Sequence, residues 1–141
     1  MILRISSCSA ILTKSRLIAT GATLVIALTV VTPLCGYLFR CGCTWPWAGL
    51  DAACNIHDPS APHQCPWCAS LLAGWLSVAT AVAAGLAAAT VFRTKLNSGN
   101  LFETIVRILL GIAVFGAVAF LAGGLSAKLQ HYTLGIFGVS Q

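Results

Sequence analysis

The chain has 141 residues, of which 58% are apolar and only 8% are charged. Soluble domains carry roughly 25% charged residues, so this composition excludes an ordinary water-facing surface and indicates that the lipid bilayer surrounds the protein. The net charge is +5, and the eight basic residues are spread along the chain, several of them next to apolar segments. We therefore interpret them as determinants of membrane topology and expect no nucleic-acid partner.

Three apolar segments are long enough to cross a hydrocarbon core about 30 Å thick, which takes roughly 20 helical residues. We predict transmembrane helices over residues 17–39, 69–92 and 104–125, and hence an all-α membrane protein with a Cys/His-rich loop between its first two helices. The connecting segments are then 1–16, 40–68, 93–103 and a tail, 126–141. A signal peptide is the alternative for the first segment, but its apolar run is longer than a signal core and no A-x-A site follows, so we expect a retained span.

The distribution of Lys and Arg predicts the orientation of these spans. Basic residues concentrate in segments 1–16 and 93–103, whereas segment 40–68 carries only Arg40 and the tail carries only Lys128. We therefore expect a cytoplasmic N-terminus, with loop 40–68 and the C-terminus extracytoplasmic, in a bacterial inner (cytoplasmic) membrane. Arg107 lies within a turn of the third span's start and is expected to snorkel to the interface.

Small residues recur every four positions in two of the spans: Ser77, Ala81, Gly85 and Ala89 in the second, and Ala119, Gly123 and Ala127 in the third. Such stripes allow close approach of helix backbones and predict a helical bundle or a docking face for a larger membrane complex. The alternative is that Ala and Gly are simply common in membrane helices.

Four tryptophans fall in or near the outer interface: Trp45, Trp47, Trp67 and Trp75. An indole ring is apolar but its N–H needs a partner, which favours the membrane–water boundary. We interpret all four as an aromatic belt that holds the loop against the membrane.

Six cysteines fall on the predicted outer side: Cys35, Cys41, Cys43, Cys54, Cys65 and Cys68. An even number in an oxidising compartment predicts a disulfide framework, although six cysteines allow fifteen connectivities. Such cross-links would stabilise a loop without a core of its own, typically by about 2–4 kcal/mol each. The close pairs Cys41-Gly42-Cys43 and Cys65-Pro66-Trp67-Cys68 fit this interpretation poorly, because short closed loops remove little chain entropy.

A metal site is the second interpretation of the same loop. His57 and His63 lie between the close thiol pairs, and a C-P-x-C turn presents two sulfurs to one tetrahedral ion. The ligands are expected among Cys41, Cys43, Cys54, His57, His63, Cys65 and Cys68. Four ligands come either from the two close pairs or from Cys54, His57, His63 and Cys65. Soft sulfur with imidazole suits zinc or copper.

Redox chemistry is the third interpretation. Cys65 is predicted at the N-cap of the second span and Pro66 at its first helical position, where the helix dipole favours a thiolate. This layout resembles that of membrane thiol oxidases of the DsbB and vitamin K epoxide reductase type. The resemblance covers only residues 65–68, and those families have four-helix cores, whereas three spans are predicted here. It implies Cys65 and Cys68 as the catalytic pair beside a quinone, with Arg40 as a candidate quinone-side cation.

We expect a small, non-enzymatic membrane protein whose loop binds a thiophilic metal or holds disulfides. Its size and smooth helix faces suggest an accessory subunit of a larger membrane system, or a homo-oligomer. Two alternatives stay open: a membrane thiol–disulfide oxidoreductase that uses Cys65 and Cys68, and a structural small subunit with a disulfide-stapled loop and no cofactor.

Overall fold

The computed structural model describes residues 2–61, 63–91 and 100–132, and within these ranges it contains helices but no strand. The helices are α1 (Ile2–Phe39), α2 (Pro66–Ala69), α3 (Leu71–Val91) and α4 (Asn100–Leu129), with short 3-10 turns at Pro46–Ala48 and Asn55–His57. The predicted all-α fold, with a cysteine-rich loop between its first two long helices, is confirmed. Most of the predicted connection 93–103 and the tail beyond residue 132 lie outside the described residues.

Helices α1, α3 and α4 each contain a segment long and apolar enough to cross a membrane: Lys14–Phe39, Leu71–Val91 and Leu101–Leu129. The protein is therefore an integral membrane protein. Two helices exceed their predicted spans. Helix α1 continues back to Ile2 because residues 2–16 contain neither Gly nor Pro to end it, and α4 runs to Leu129, beyond the predicted end at residue 125.

The start of the second span differs from the prediction. Cys65 does stand at an N-cap and Pro66 at the first helical position, but the helix that they open is the four-residue α2. Ser70 then adopts an extended backbone, with φ −114° and ψ 98°, and its hydroxyl accepts a hydrogen bond from the Ala73 N–H at 3.4 Å. Serine is a favoured N-cap residue, so α3 begins anew at Leu71 and the Cys-Pro-Trp-Cys turn is separate from the span.

Buried residues recur every four positions along the contact face of each long helix. These are Ser15, Ala19, Thr23 and Ala27 in α1, Ser77, Ala81, Gly85 and Ala89 in α3, and Arg107, Gly111, Phe115, Ala119, Gly123 and Ala127 in α4. The predicted packing role of the small-residue stripes is confirmed. At the tightest point, a Cβ added to Gly85 would lie 2.8 Å from the Gly111 carbonyl oxygen and 2.9 Å from the Phe115 Cβ.

Polar and apolar contacts give the directions of the helices. The Ser15 hydroxyl lies 2.7 Å from that of Thr104, so the first halves of α1 and α4 are neighbours. Near the other end of the same two helices, a Cβ on Gly123 would lie 3.1 Å from the Leu38 Cδ1. Helices α1 and α4 are therefore parallel. Helix α3 runs antiparallel to both, because Ser77 in its first half lies 3.4 Å from Ser126 near the end of α4. The cysteine-rich loop and the end of α4 thus lie at the same end of the bundle.

The sequence predicted that Arg107 snorkels to the interface, and this prediction is wrong. Its side chain is buried inside the bundle and is only 1% exposed. One guanidinium nitrogen donates to the carbonyl oxygens of Ala89 and Thr90, at 3.1 and 3.2 Å. The others donate to Glu103, at 3.0 and 2.7 Å. Arg107 thereby satisfies carbonyls in the last turn of α3, which have no partner within their own helix.

The tryptophans do not form one belt. Trp45 and Trp47 stack on each other with ring centroids 5.2 Å apart and are exposed, as is Trp75. Trp67 is buried instead and meets Phe39 edge to face at 5.4 Å. It belongs to the core beneath the cysteine-rich loop, because α2 turns its side chain inward.

Candidate metal centre

Backbone turns at the end of α1 bring the first three cysteines together. Cys35 lies in the last turns of α1, and Arg40, the residue after the helix, adopts the left-handed region (φ 49°). Gly42 follows with φ 88°, and a Cβ there would collide with the Ala53 carbonyl oxygen. Only glycine meets both conditions, so it lets the chain around Cys41 and Cys43 touch the chain that leads to Cys54.

Asn55 connects three parts of the loop. Its backbone N–H donates to the Cys41 carbonyl at 2.8 Å, and its side-chain oxygen accepts from the Cys65 N–H at 2.9 Å. Its amide nitrogen donates to the His63 carbonyl at 3.0 Å and to the Tyr132 hydroxyl at 3.4 Å. One short side chain thus holds the Cys54 and Cys65 segments in register.

The end of α4 fastens this loop to the bundle. The Tyr132 hydroxyl donates to the Phe39 carbonyl at 2.8 Å, and the Gln130 amide donates to the Pro66 carbonyl at 3.2 Å. Sequence reasoning missed Asn55 and Tyr132 as site-forming residues. Asn55 carried a weak signal, because it follows Cys54 in a loop without apolar periodicity, but nothing in the sequence marks Tyr132.

All six cysteines outside the N-terminal half of α1 converge on one point. The shortest sulfur–sulfur distances are 3.3 Å, for Cys35 with Cys65 and for Cys41 with Cys43. Cys54 lies 3.6 Å from Cys68, and Cys43 lies 4.0 Å from Cys68. A disulfide has a sulfur–sulfur bond of about 2.05 Å, so these six residues are free thiols.

Four groups of three sulfurs, no two of which share a pair, have members that all lie within 4.8 Å of one another. These triads are Cys35–Cys43–Cys68, Cys35–Cys41–Cys65, Cys41–Cys43–Cys54 and Cys54–Cys65–Cys68. Thiols this close present convergent soft ligands, and such ligands select ions like zinc and cuprous copper. The six residues, hereafter the six-thiol cluster, are therefore compatible with metal binding.

The structure assembles five of the predicted ligands but leaves the two histidines apart. Cys41, Cys43, Cys54, Cys65 and Cys68 all belong to the six-thiol cluster, together with Cys35, which the predicted ligand set omitted. His57 is exposed and lies 3.5 Å from the Asp51 carboxylate. His63 is also exposed, with its ring 6.2 Å from that of Tyr132. Neither imidazole belongs to a triad.

The close approach and the burial of the thiols shift their pKa values in opposite directions. Hydrogen bonds from neighbouring thiols, that of Cys35 first, hold the pKa values of Cys41 and Cys68 well below the ordinary 9.0. Burial raises the pKa of Cys54 to about 11, and the Cys54 thiol donates to Cys68. The cluster therefore combines thiolate-like acceptors, Cys41 and Cys68, with a thiol, Cys54, that holds its proton more tightly than usual.

A cavity of about 320 Å³ opens beside the six-thiol cluster, between α1 and α3. Cys35, Cys43 and Cys68, which form one triad, line its inner wall. Most of the remaining wall is apolar, and Asp51 contributes a carboxylate. One face of the cluster is therefore reachable from outside the protein.

Comparison of the chain with protein-family models, with curated proteins and with solved structures finds no match.

Proposed function

We propose that this protein binds a thiophilic metal at the membrane boundary through the six-thiol cluster, as a non-enzymatic accessory subunit of a larger membrane system. The observation that carries the proposal is the convergence of six free thiols into triads within 4.8 Å. Five of these sulfurs are buried and Cys68 is half-buried, so the ligands are preorganised and largely shielded from water. Preorganised soft sulfur favours zinc or cuprous copper over hard cations.

The proposed setting is a bacterial inner membrane, with the N-terminus in the cytoplasm and the cysteine-rich loop outside. The excess of basic residues in segments 1–16 and 93–103 supports this orientation. The proposed partners are the lipid bilayer and other membrane subunits or a second copy of the chain. The contact stripes bury only one face of each long helix, so the other faces are available to lipid or to such a partner.

Metal analysis of the purified protein tests the proposal. Protein extracted from membranes without chelator is expected to carry metal, and chelator treatment is expected to expose thiols of the six-thiol cluster to alkylation. A matched control is Cys8→Ser, because Cys8 lies in α1 about 40 Å along the helix from Cys35 at 1.5 Å per residue. Cys8→Ser should retain the metal and Cys41→Ser should lose it; intact disulfides without metal, by mass spectrometry, would support the stapled structural subunit instead.

A second candidate function is thiol–disulfide exchange by Cys65 and Cys68, with a quinone in the neighbouring cavity. The lowered pKa of Cys68 and its place on the cavity wall favour it. Arg40 is exposed at the end of α1 and is the proposed quinone-side cation. A Cys65→Ser, Cys68→Ser double variant that still oxidises thiols in a quinone-containing membrane would eliminate this candidate.

A further inference from the structure

The four triads share their sulfurs in a regular way. Each sulfur belongs to two triads, and any two triads have one sulfur in common. Only three pairs of sulfurs occur in no triad, namely Cys35 with Cys54, Cys41 with Cys68 and Cys43 with Cys65. Each sulfur therefore has four near neighbours and one distant one, which is the arrangement of the six corners of an octahedron. The triads are then four of its eight faces, no two of which share an edge. The other four faces join the same near pairs, and each of them shares its three edges with triads.

Resting on the proposed function, we infer that the six-thiol cluster holds four cuprous ions, one in each triad, with every cysteine sulfur bridging two ions. Four ions on alternate faces of a sulfur octahedron form a tetrahedron, so each sulfur lies over one of its edges. In this arrangement all six thiolates are used and each ion has three sulfur ligands.

The coordination number distinguishes cuprous copper from zinc. Structural zinc takes four ligands, and four sulfurs at about 2.3 Å from one ion would all lie about 3.8 Å apart. No four of the described sulfurs are mutually within even 4.8 Å, because any four corners of the octahedron include a distant pair. The imidazoles of His57 and His63 lie outside the triads and supply no fourth ligand. Cuprous copper, by contrast, is satisfied by three thiolates.

The distances suit such ions. An ion centred among three sulfurs that are 4.0 Å apart, as Cys43 and Cys68 are, lies about 2.3 Å from each, the usual metal–thiolate bond length. The shortest pairs, such as Cys35 with Cys65 at 3.3 Å, need to open by about 0.7 Å to reach the same separation.

Charge and protons also balance. Binding of four cuprous ions uses all six sulfurs as thiolates, so each thiol that is still protonated gives up its proton, and no atom changes oxidation state. The six thiolate charges are offset by four positive charges, which leaves two negative charges on the cluster. One zinc ion with four thiolates would leave the same net charge, so burial of the larger cluster carries no additional net charge. The ions enter through the cavity, whose wall includes Cys35, Cys43 and Cys68.

Anaerobic titration of the full-length, detergent-solubilised apoprotein with a cuprous acetonitrile complex, against a cuprous chelator, tests the inference. We expect saturation at four ions per chain. X-ray absorption should show three sulfur neighbours per copper together with a copper–copper shell. Saturation at one ion, or sulfur ligation without a copper–copper shell, would overturn the tetranuclear cluster and leave the proposed function intact.

Variants give a second readout. Replacing any one cluster cysteine by serine removes two of the four triads, so Cys35→Ser and Cys54→Ser should each bind at most two cuprous ions with full sulfur ligation. Cys8→Ser, the control, should bind four. A Cys35→Ser protein that remains monodisperse and still binds four ions would contradict the inference. Binding of neither copper nor zinc by the wild type would refute the proposed function itself.

Discussion

The Tyr132 hydroxyl donates a 2.8 Å hydrogen bond to the carbonyl oxygen of Phe39, joining the residues just after α4 to the last residue of α1. The same hydroxyl accepts a hydrogen bond from the Asn55 amide at 3.4 Å. The Tyr132 ring packs edge to face on the Phe39 ring, with centroids 5.8 Å apart. The Tyr132 side chain therefore connects the ends of two spanning helices and the cysteine-rich loop, and it lies beside the six-thiol cluster.

Removal of the Tyr132 hydroxyl should destabilise the cysteine-rich loop and leave the packing of the helices unchanged. Tyr132→Phe keeps the ring contact but leaves the Phe39 carbonyl without its donor, at a cost of about 1 kcal/mol. We expect faster loss of metal to a chelator with unchanged helix content by circular dichroism. Tyr37→Phe is the matched control, because Tyr37 is 70% exposed. Equal metal loss in both variants would mean that the hydroxyl does not hold the loop.

Asn55→Ala should be more damaging than the tyrosine variant. The Cys65 N–H loses its acceptor, and an unsatisfied buried donor costs about 1–3 kcal/mol in addition to the other lost contacts. We expect lower metal occupancy and faster alkylation of Cys54 and Cys65 in the apoprotein. Asn55→Asp keeps the acceptor oxygen and should recover part of the loss, whereas Gln64→Ala, at an exposed loop position, should resemble the wild type.

The contact between α3 and α4 should tolerate no side chain at Gly85. Gly85→Ala places a methyl group against the Gly111 carbonyl and the Phe115 side chain, and overpacking of this kind typically costs about 1–3 kcal/mol. Gly116→Ala is the control, since nothing lies within 4 Å of a Cβ there; it should be neutral or more stable. Thermal unfolding in detergent measures both. Equal stability of the two variants would contradict the packing described here.

Loss of Arg107 should destabilise the other end of the bundle. Arg107→Met leaves the Glu103 carboxylate and the Ala89 and Thr90 carbonyls without their donor, and breaking a buried ion pair costs about 3–5 kcal/mol. Lys128→Met removes an exposed charge and should change little. A melting temperature that falls in Arg107→Met, with metal occupancy retained, would place the effect in the helices.

The apoprotein should lose stability at alkaline pH through Cys54. Because burial raises the pKa of this thiol from 9.0 to about 11, the folded state holds a proton that the unfolded state releases. The stabilisation is fully present below pH 9 and is lost as the pH rises towards 11. Melting curves of reduced wild type and Cys54→Ser across this window check the sign: the decline between pH 9 and pH 11 should be shallower in the variant.

The three spans and their contact stripes were predictable, because apolar length and four-residue spacing are properties of single helices. The break at Ser70 was not, since serine is tolerated within an apolar helix and only its hydrogen bond to Ala73 shows that it caps one. Arg107 was misjudged for a related reason. A basic residue near a span end has water as its default partner, and nothing local indicates that the carbonyls of α3 are available instead.

The six-thiol cluster could be predicted only in part from the sequence. Residue type and close spacing predicted the loop cysteines as candidate ligands, but the contact between Cys35 and Cys65 joins residues 30 positions apart. That contact depends on Asn55 and on Tyr132, whose roles appear only when the chain is folded. The histidines were included by chemical type, whereas loop geometry places both imidazoles at the surface.

Cys35 differs from its five partners because it is carried by a spanning helix and not by the loop. It is a corner of two triads, so sliding or rotation of α1 against its neighbours would distort half of the proposed coordination sites at once. A membrane protein that binds α1 on its lipid-facing side and moves it would thus alter metal release without contacting any of the sulfur atoms.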